Sequence, residues 1–170
     1  VNLKVPQGAP KEFALLQIRP LVLTLEREEL NVDIDDAGVL ICRSEQVLGN
    51  GVFDNIHDIV VVDVQTFDRS KSMEVVEEIS TINARLTAER RPYVIIGVGR
   101  WGSMDPWLGI PVTWDQIAGA CVIIESGFKD MFVTPSQGSH FFQNITSFRV
   151  GYFTVNSTMP SSFIDWEWLR

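Results

Sequence analysis

Three short apolar runs, separated by helical and turn-forming sequence, restrict the fold more than any other feature of this chain. The runs are Ile59–Val64, Tyr93–Ile96 and Ala120–Glu125. Apolar runs of this length, rich in β-branched residues, are typical of strands that are buried on both faces of a parallel sheet. Because helices connect parallel strands, the alternation predicts an α/β fold.

The segment between the first two runs predicts an amphipathic helix. Its apolar side chains recur on one face, with glutamates on the other: Val75, Val76, Ile79, Ile82 and Leu86. Ser70 or Ser72 is suited to cap its start. We expect the helix to end near Arg90, because Pro92 disfavours helical backbone at the residue before it.

Composition and charge exclude several classes of protein. Hydrophobic residues make up 45% of the 170 residues, which is enough for a core. The net charge of −8 argues against a nucleic-acid or anionic membrane partner. No apolar run approaches the roughly 20 residues that span a bilayer. No secretory signal is recognisable, so we expect a cytoplasmic protein. The chain begins at Val1 in strand-like sequence, and we expect it to be a fragment of a longer protein.

The stretch around His140 carries the clearest chemical signal. Gly138 and Ser139 favour a turn and a helix cap, and the apolar residues that follow have helical spacing. They are Phe141, Phe142, Ile145 and Phe148. We predict a loop that turns into a helix, with His140 in its first turn. Free N–H groups there attract phosphate or carboxylate, and imidazole is a nucleophile near neutral pH. His140 is a candidate phosphoryl acceptor; the alternative is a histidine that only caps or packs there.

The segment Gly97–Gly102 matches the G-x-G-x-x-G spacing and follows a predicted strand. A dinucleotide site needs the third glycine to lie in the first turn of a long helix. Asp105-Pro106 and Ile110-Pro111 prevent such a helix, so we predict a long loop instead. Glu125 has the spacing of a ribose ligand, but it ends a strand of its own. Arg100 and its aromatic neighbours are suited to bind an anion or a sugar; alternatively, buried tryptophans only hold the loop in place.

The stretch Glu12–Pro20, with Gln17-Ile18-Arg19-Pro20, resembles the end of the ATP-grasp nucleotide-binding domain of pyruvate phosphate dikinase and phosphoenolpyruvate synthase. In that family the Gln-x-Arg-Pro strand closes the ATP site. The resemblance implies that Gln17 binds metal or nucleotide, that Arg19 contacts a phosphate, and that ATP and Mg are the cofactors. It also implies that residues 1–22 are the C-terminal hairpin of the ATP-grasp domain, followed by a linker at 23–38.

Residues 39–170 are similar to the swivelling phosphohistidine domain of the same family. The similar segments follow in the family's order: a glycine turn, a strand, an Asp-Pro segment, a second strand and a Gly-Ser-His segment. They are Leu48–Val52, Tyr93–Ile96, Asp105-Pro106-Trp107, Ala120–Glu125 and Gly138-Ser139-His140. The part from Arg91 to Phe153 also resembles the C-terminal part of bacterial proteins described as phosphoenolpyruvate synthases or pyruvate-binding proteins. The resemblance implies a compact swivelling β/β/α-type domain.

The function that the resemblance implies is phosphoryl transfer from ATP to His140 and then to pyruvate or a similar small acid. Ser139 would steady the transferring group and Arg100 would neutralise its charge. The partners would be the upstream ATP-grasp domain and the acid, and this fragment alone is expected to be inactive. One alternative is a non-catalytic module that docks on an ATP-grasp kinase or binds its acceptor, with the aromatic loop and the tail at 163–168 as the interface. The other is a direct kinase or ligase that needs Arg100 but not His140.

Overall fold

The computed structural model describes residues 40–49, 51–105, 107–127, 132–135, 140–156 and 158–170. The predicted hairpin at 1–22 and the linker at 23–38 lie outside the described residues, and so do Gln17, Arg19 and Ser139. The strands are β1 Cys42–Arg43, β2 Gln46–Leu48, β3 Asp58–Val61, β4 Tyr93–Val98, β5 Arg100–Trp101, β6 Gly109–Ile110, β7 Ala120–Ser126, β8 Gly151–Val155 and β9 Phe163–Ile164. The helices are α1 Ser72–Ala88 and α2 His140–Ser147.

A five-stranded sheet in the order β2-β8-β7-β4-β3 forms the centre of the structure. Strands β3, β4, β7 and β8 are parallel, and β2 pairs antiparallel with β8 at one edge. The three apolar runs correspond to β3, β4 and β7, which lie side by side. The predicted α/β class is therefore confirmed. All four parallel strands end at the same edge of the sheet, which we call the carboxyl edge, and begin at the opposite amino edge.

Both helices cover the same face of this sheet. Helix α1 buries Val76 and Ile79, and α2 buries Ile145, in one cluster with Ile95 and Ile123 of the central strands. This arrangement follows from the sequence, because each helix has only one apolar face to bury. Within the described residues, no helix is both long and apolar enough to cross a bilayer.

The other face of the sheet is covered by segments from both ends of the described chain. Strand β1 pairs antiparallel with β9, and Trp166 and Leu169 pack beside Ile96 and Ile124 of the sheet. The aromatic tail that we considered as an interface is thus partly core: Trp166 is half-buried, whereas Trp168 is exposed. The second face therefore depends on residues far apart in the sequence.

The predicted loop after β4 is more ordered than its prolines suggest. Strands β5 and β6 pair in parallel within it, and Arg100 N–H donates to the Leu108 carbonyl at 2.8 Å. A Cβ on Gly109 would lie 2.0 Å from the Arg100 carbonyl oxygen, so this position requires glycine. Gly99 and Gly102 have φ of 75° and 72°, which side chains disfavour. Strand β5 follows Gly99 directly, which agrees with the rejection of a dinucleotide site.

Candidate functional site

Polar side chains from several elements meet at the carboxyl edge of the sheet. Glu125 lies near the end of β7, Arg100 follows β4, and Asn156 follows β8. His140 begins α2, which connects β7 to β8 from this same edge. Open α/β sheets bind their ligands outside the carboxyl ends of the strands. The carboxyl edge is therefore the candidate site.

Glu125 is a fully buried carboxyl group, with 0% of its surface exposed. Its Oε1 accepts a hydrogen bond from the Trp101 N–H at 2.9 Å, and its Oε2 accepts one from the Tyr152 hydroxyl at 2.5 Å. Burial raises the pKa of Glu125 from 4.5 to about 7. The two hydrogen bonds and the charge of Arg100 lower this pKa by less than burial raises it.

Trp101 anchors the turn that carries Arg100. The indole is 1% exposed, and its Nε1–H donates to the Ile124 carbonyl at 3.0 Å. Its ring occupies the space above Gly97, where a Cβ would lie 2.2 Å from the ring. The expectation of a loop held by buried tryptophans thus holds for Trp101, whereas Trp107 is 70% exposed.

Arg100 is half-buried at this edge, and its guanidinium donates a hydrogen bond to the Thr134 hydroxyl. Among the residues that the structure describes, no carboxylate lies within ion-pair distance of Arg100. Its positive charge is therefore not neutralised by a direct partner in this part of the chain. A guanidinium beside a neutral hydroxyl is suited to bind a phosphate or a carboxylate.

Asn156 holds the segment with Thr134 against the end of β8. The amide is 1% exposed; it donates to the Val133 carbonyl at 2.9 Å and accepts from the Val133 N–H at 2.8 Å. The two bonds fix residues 132–135 although these residues form neither helix nor strand. Thr134 is thereby held in place next to Arg100.

His140 is exposed and is the first residue of α2, so the predicted start of this helix is confirmed. The next residue, Phe141, lies against Gly102, where a Cβ would be 2.6 Å from the ring. This contact places the first turn of α2 beside the turn that carries Arg100. Two of the predicted site residues, His140 and Arg100, thus lie on neighbouring segments at the carboxyl edge.

The structure adds three residues that sequence reasoning did not assign to the site: Glu125, Thr134 and Asn156. Glu125 had a signal, because it is the only acidic residue in an otherwise apolar predicted strand. A carboxyl group in such a run must find partners or remain protonated. Thr134 and Asn156 had no comparable local signal, because their roles depend on contacts with distant residues.

The described residues contain no group of three or more His, Cys, Asp and Glu side chains that could hold a metal ion. Gln17, the expected metal ligand, lies outside those residues. The involvement of ATP and Mg therefore stays a prediction from the resemblance.

Comparison of the chain with protein-family models, with curated proteins and with solved structures found no match. A functional proposal for this chain therefore rests on the side chains at the carboxyl edge and on the resemblance of short motifs.

Proposed function

We propose that this chain is part of a dikinase-like phosphotransferase, in which His140 accepts a phosphoryl group from ATP and passes it to pyruvate or a similar small acid. The observation that carries the proposal is the exposed imidazole at the first residue of α2, beside the turn with Arg100. In this proposal residues 39–170 act as a swivelling β/β/α-type domain. An upstream ATP-grasp domain, ending with residues 1–22, would bind ATP and Mg in the cytoplasm.

The chemistry requires a nucleophile and a means to offset negative charge. A nitrogen of the His140 imidazole attacks phosphorus, the N–P bond forms, and the P–O bond to the nucleotide breaks with its electron pair on the leaving oxygen. An oxygen of the acceptor acid then attacks phosphorus and the N–P bond breaks. The Arg100 guanidinium and the free N–H groups in the first turn of α2 are suited to stabilise the charge on the phosphoryl oxygens.

A chemical phosphoryl donor tests the histidine independently of any nucleotide site. We expect phosphoramidate to phosphorylate His140 at least about tenfold faster than His57, because His140 begins a helix, whose free N–H groups can stabilise the transition state, whereas His57 precedes a strand. His57 is the matched control, since it is also exposed and lies directly before β3 at the amino edge. The rates can be followed by acid-labile phosphate in H140Q and H57Q. Equal rates for the two histidines would count against the proposal.

The longer protein that the proposal implies allows a direct test. Radiolabelled ATP should give an acid-labile label in the parent protein and in H57Q, but not in H140Q. Label that survives in H140Q would remove His140 from the mechanism and would favour the direct kinase or ligase, in which only Arg100 is needed.

A second candidate, the docking module, is favoured by the exposed apolar side chains of the turn between β5 and β6. Met104 is 93% exposed, Trp107 70% and Leu108 41%. A cluster of this kind on a surface turn is suited to contact another domain. In a docking role, W107S would lower the transfer of label from ATP but would leave the phosphoramidate reaction unchanged.

A further inference from the structure

The carboxyl edge contains a carboxyl group to which the proposed phosphotransfer assigns no role. Glu125 is fully buried, so it does not touch a substrate bound outside the sheet. Its two hydrogen bonds connect it to Trp101 and Tyr152. Trp101 directly follows Arg100, and the charge of Arg100 acts on the carboxyl group. Glu125 and Arg100 are thus electrostatically coupled without forming an ion pair.

We propose that Arg100 and Thr134 form a binding site for a tetrahedral oxyanion, and that protonation of Glu125 strengthens the binding. The site has a half-buried guanidinium, a hydroxyl fixed beside it by the anchored segment 132–135, and a position at the carboxyl ends of parallel strands. The inference rests on the proposed function for the identity of the natural anion, a phosphoryl or phosphate group. The binding itself does not require that function.

The sign of the coupling follows from the charges. When Glu125 is ionised, its negative charge offsets part of the field of Arg100 and repels an anion at the guanidinium. When Glu125 is neutral, that repulsion is absent and the anion binds more tightly. Burial raises the pKa of Glu125 to about 7, so the change falls near neutral pH. Because the coupling is reciprocal, a bound anion also raises the pKa of Glu125.

Other charged and titratable groups lie near the Glu125 carboxyl, and their effects on the pH dependence must be distinguished from that of Glu125. Arg100 approaches from β5 and Tyr152 from β8, and β4 contributes Gly97 at the paired position. His140 at the start of α2 stands at the same edge and contributes its own charge when protonated. An experiment on pH dependence therefore needs variants of both Glu125 and His140.

Sulfate is a suitable probe because, unlike phosphate, it does not change its charge around neutral pH. We expect this chain to bind sulfate about tenfold more tightly near pH 6 than near pH 8, measured at constant ionic strength by calorimetry or amide chemical shifts. In E125Q the affinity should change far less with pH, since an amide does not titrate; its oxygen can accept from the Trp101 N–H while its NH2 group donates to the Tyr152 hydroxyl. In R100Q sulfate binding should be lost, whereas H140Q should retain the pH dependence.

Two results would overturn the inference: a full pH dependence in E125Q, or unchanged sulfate affinity in R100Q. If E125Q does not fold, Y152F provides a second test. Removal of the Tyr152 hydroxyl takes away a hydrogen bond that lowers the pKa of Glu125, so the midpoint of the pH dependence should move upward; a fixed midpoint would contradict the inference. If His140 is not phosphorylated but the chain binds sulfate as expected, the proposed function is refuted and the anion site is not.

Discussion

The two edges of the parallel sheet both carry an arginine, but the two arginines have different surroundings. At the amino edge, Arg91 binds both oxygens of Asp58, with Nε 2.9 Å from Oδ2, and its Nη1 lies 2.8 Å from Oε2 of Glu89. At the carboxyl edge, Arg100 donates to the hydroxyl of Thr134. The charge of Arg91 is neutralised, whereas within the described part of the chain that of Arg100 has no carboxylate in direct contact.

The charge of Arg91 is used within the fold, whereas that of Arg100 is available to a ligand. Exposed ion pairs such as those of Arg91 stabilise a fold only slightly, because water screens them. A buried carboxyl with a raised pKa has a cost, since its ionised form is poorly solvated. Glu125 lies at the carboxyl edge despite this cost, near a guanidinium that has no carboxylate in direct contact among the described residues. Unfavourable arrangements of this kind are typical of binding and catalytic sites.

The largest effect on stability is expected from Trp101. We expect W101A to lower the free energy of unfolding by about 3–5 kcal/mol, because it leaves a cavity above Gly97 and removes the hydrogen bond to Ile124. Urea denaturation measures the change, with W107A as the control because Trp107 is mostly exposed. Similar losses in both variants would show that the turn at the carboxyl edge is not anchored by Trp101.

The next largest effect is a pH dependence that originates from Glu125. Its pKa is raised from 4.5 to about 7 in the folded chain, so the folded state holds this proton more tightly than the unfolded state. The protonated Glu125 therefore contributes about 3 kcal/mol to the free energy of unfolding below pH 4.5. This contribution is lost as the pH rises through about 7.

Denaturation curves at several pH values, for the parent chain and for E125Q, isolate this contribution. The free energy of unfolding of the parent chain minus that of E125Q should fall as the pH rises from 4.5 to about 7. The other carboxyl groups titrate alike in both proteins and cancel. A difference that does not vary with pH would mean that Glu125 is ionised throughout.

A smaller effect is expected from Asn156. We expect N156A to cost about 2 kcal/mol, because the buried N–H and carbonyl of Val133 lose their partner. Sulfate affinity should also fall, since Thr134 is no longer held beside Arg100. N144A is a control on α2 that leaves this anchor intact. Unchanged sulfate binding in N156A would show that Thr134 contributes nothing to the anion site.

The smallest effect on stability is expected at the amino edge. R91Q should leave the denaturation midpoint nearly unchanged, because Arg91 is half exposed and its ion pairs are in contact with solvent. It should also leave sulfate binding intact, in contrast to R100Q. If R91Q weakened sulfate binding as much as R100Q, the anion would be responding to the overall charge of the protein, and the two edges would not differ.

Local patterns in the sequence determined the elements of this fold. The β-branched runs predicted β3, β4 and β7, and the spacing of apolar residues predicted α1 and the start of α2 at His140. These predictions succeed because strand and helix periodicity depend on neighbours within one or two turns. The end of α2 was less well predicted: Phe148 lies beyond it, where its ring stacks on Trp114 at 5.5 Å.

Only the tertiary structure decided which side chains share the carboxyl edge. The partners of Glu125 are 24 and 27 residues away in the chain, and Arg100 and Thr134 are 34 residues apart. The pairing of β5 with β6 and the packing of the tail on the second face also join distant segments. Contacts at such separations leave no periodic pattern in a single sequence, because they depend on which strands are neighbours in the sheet.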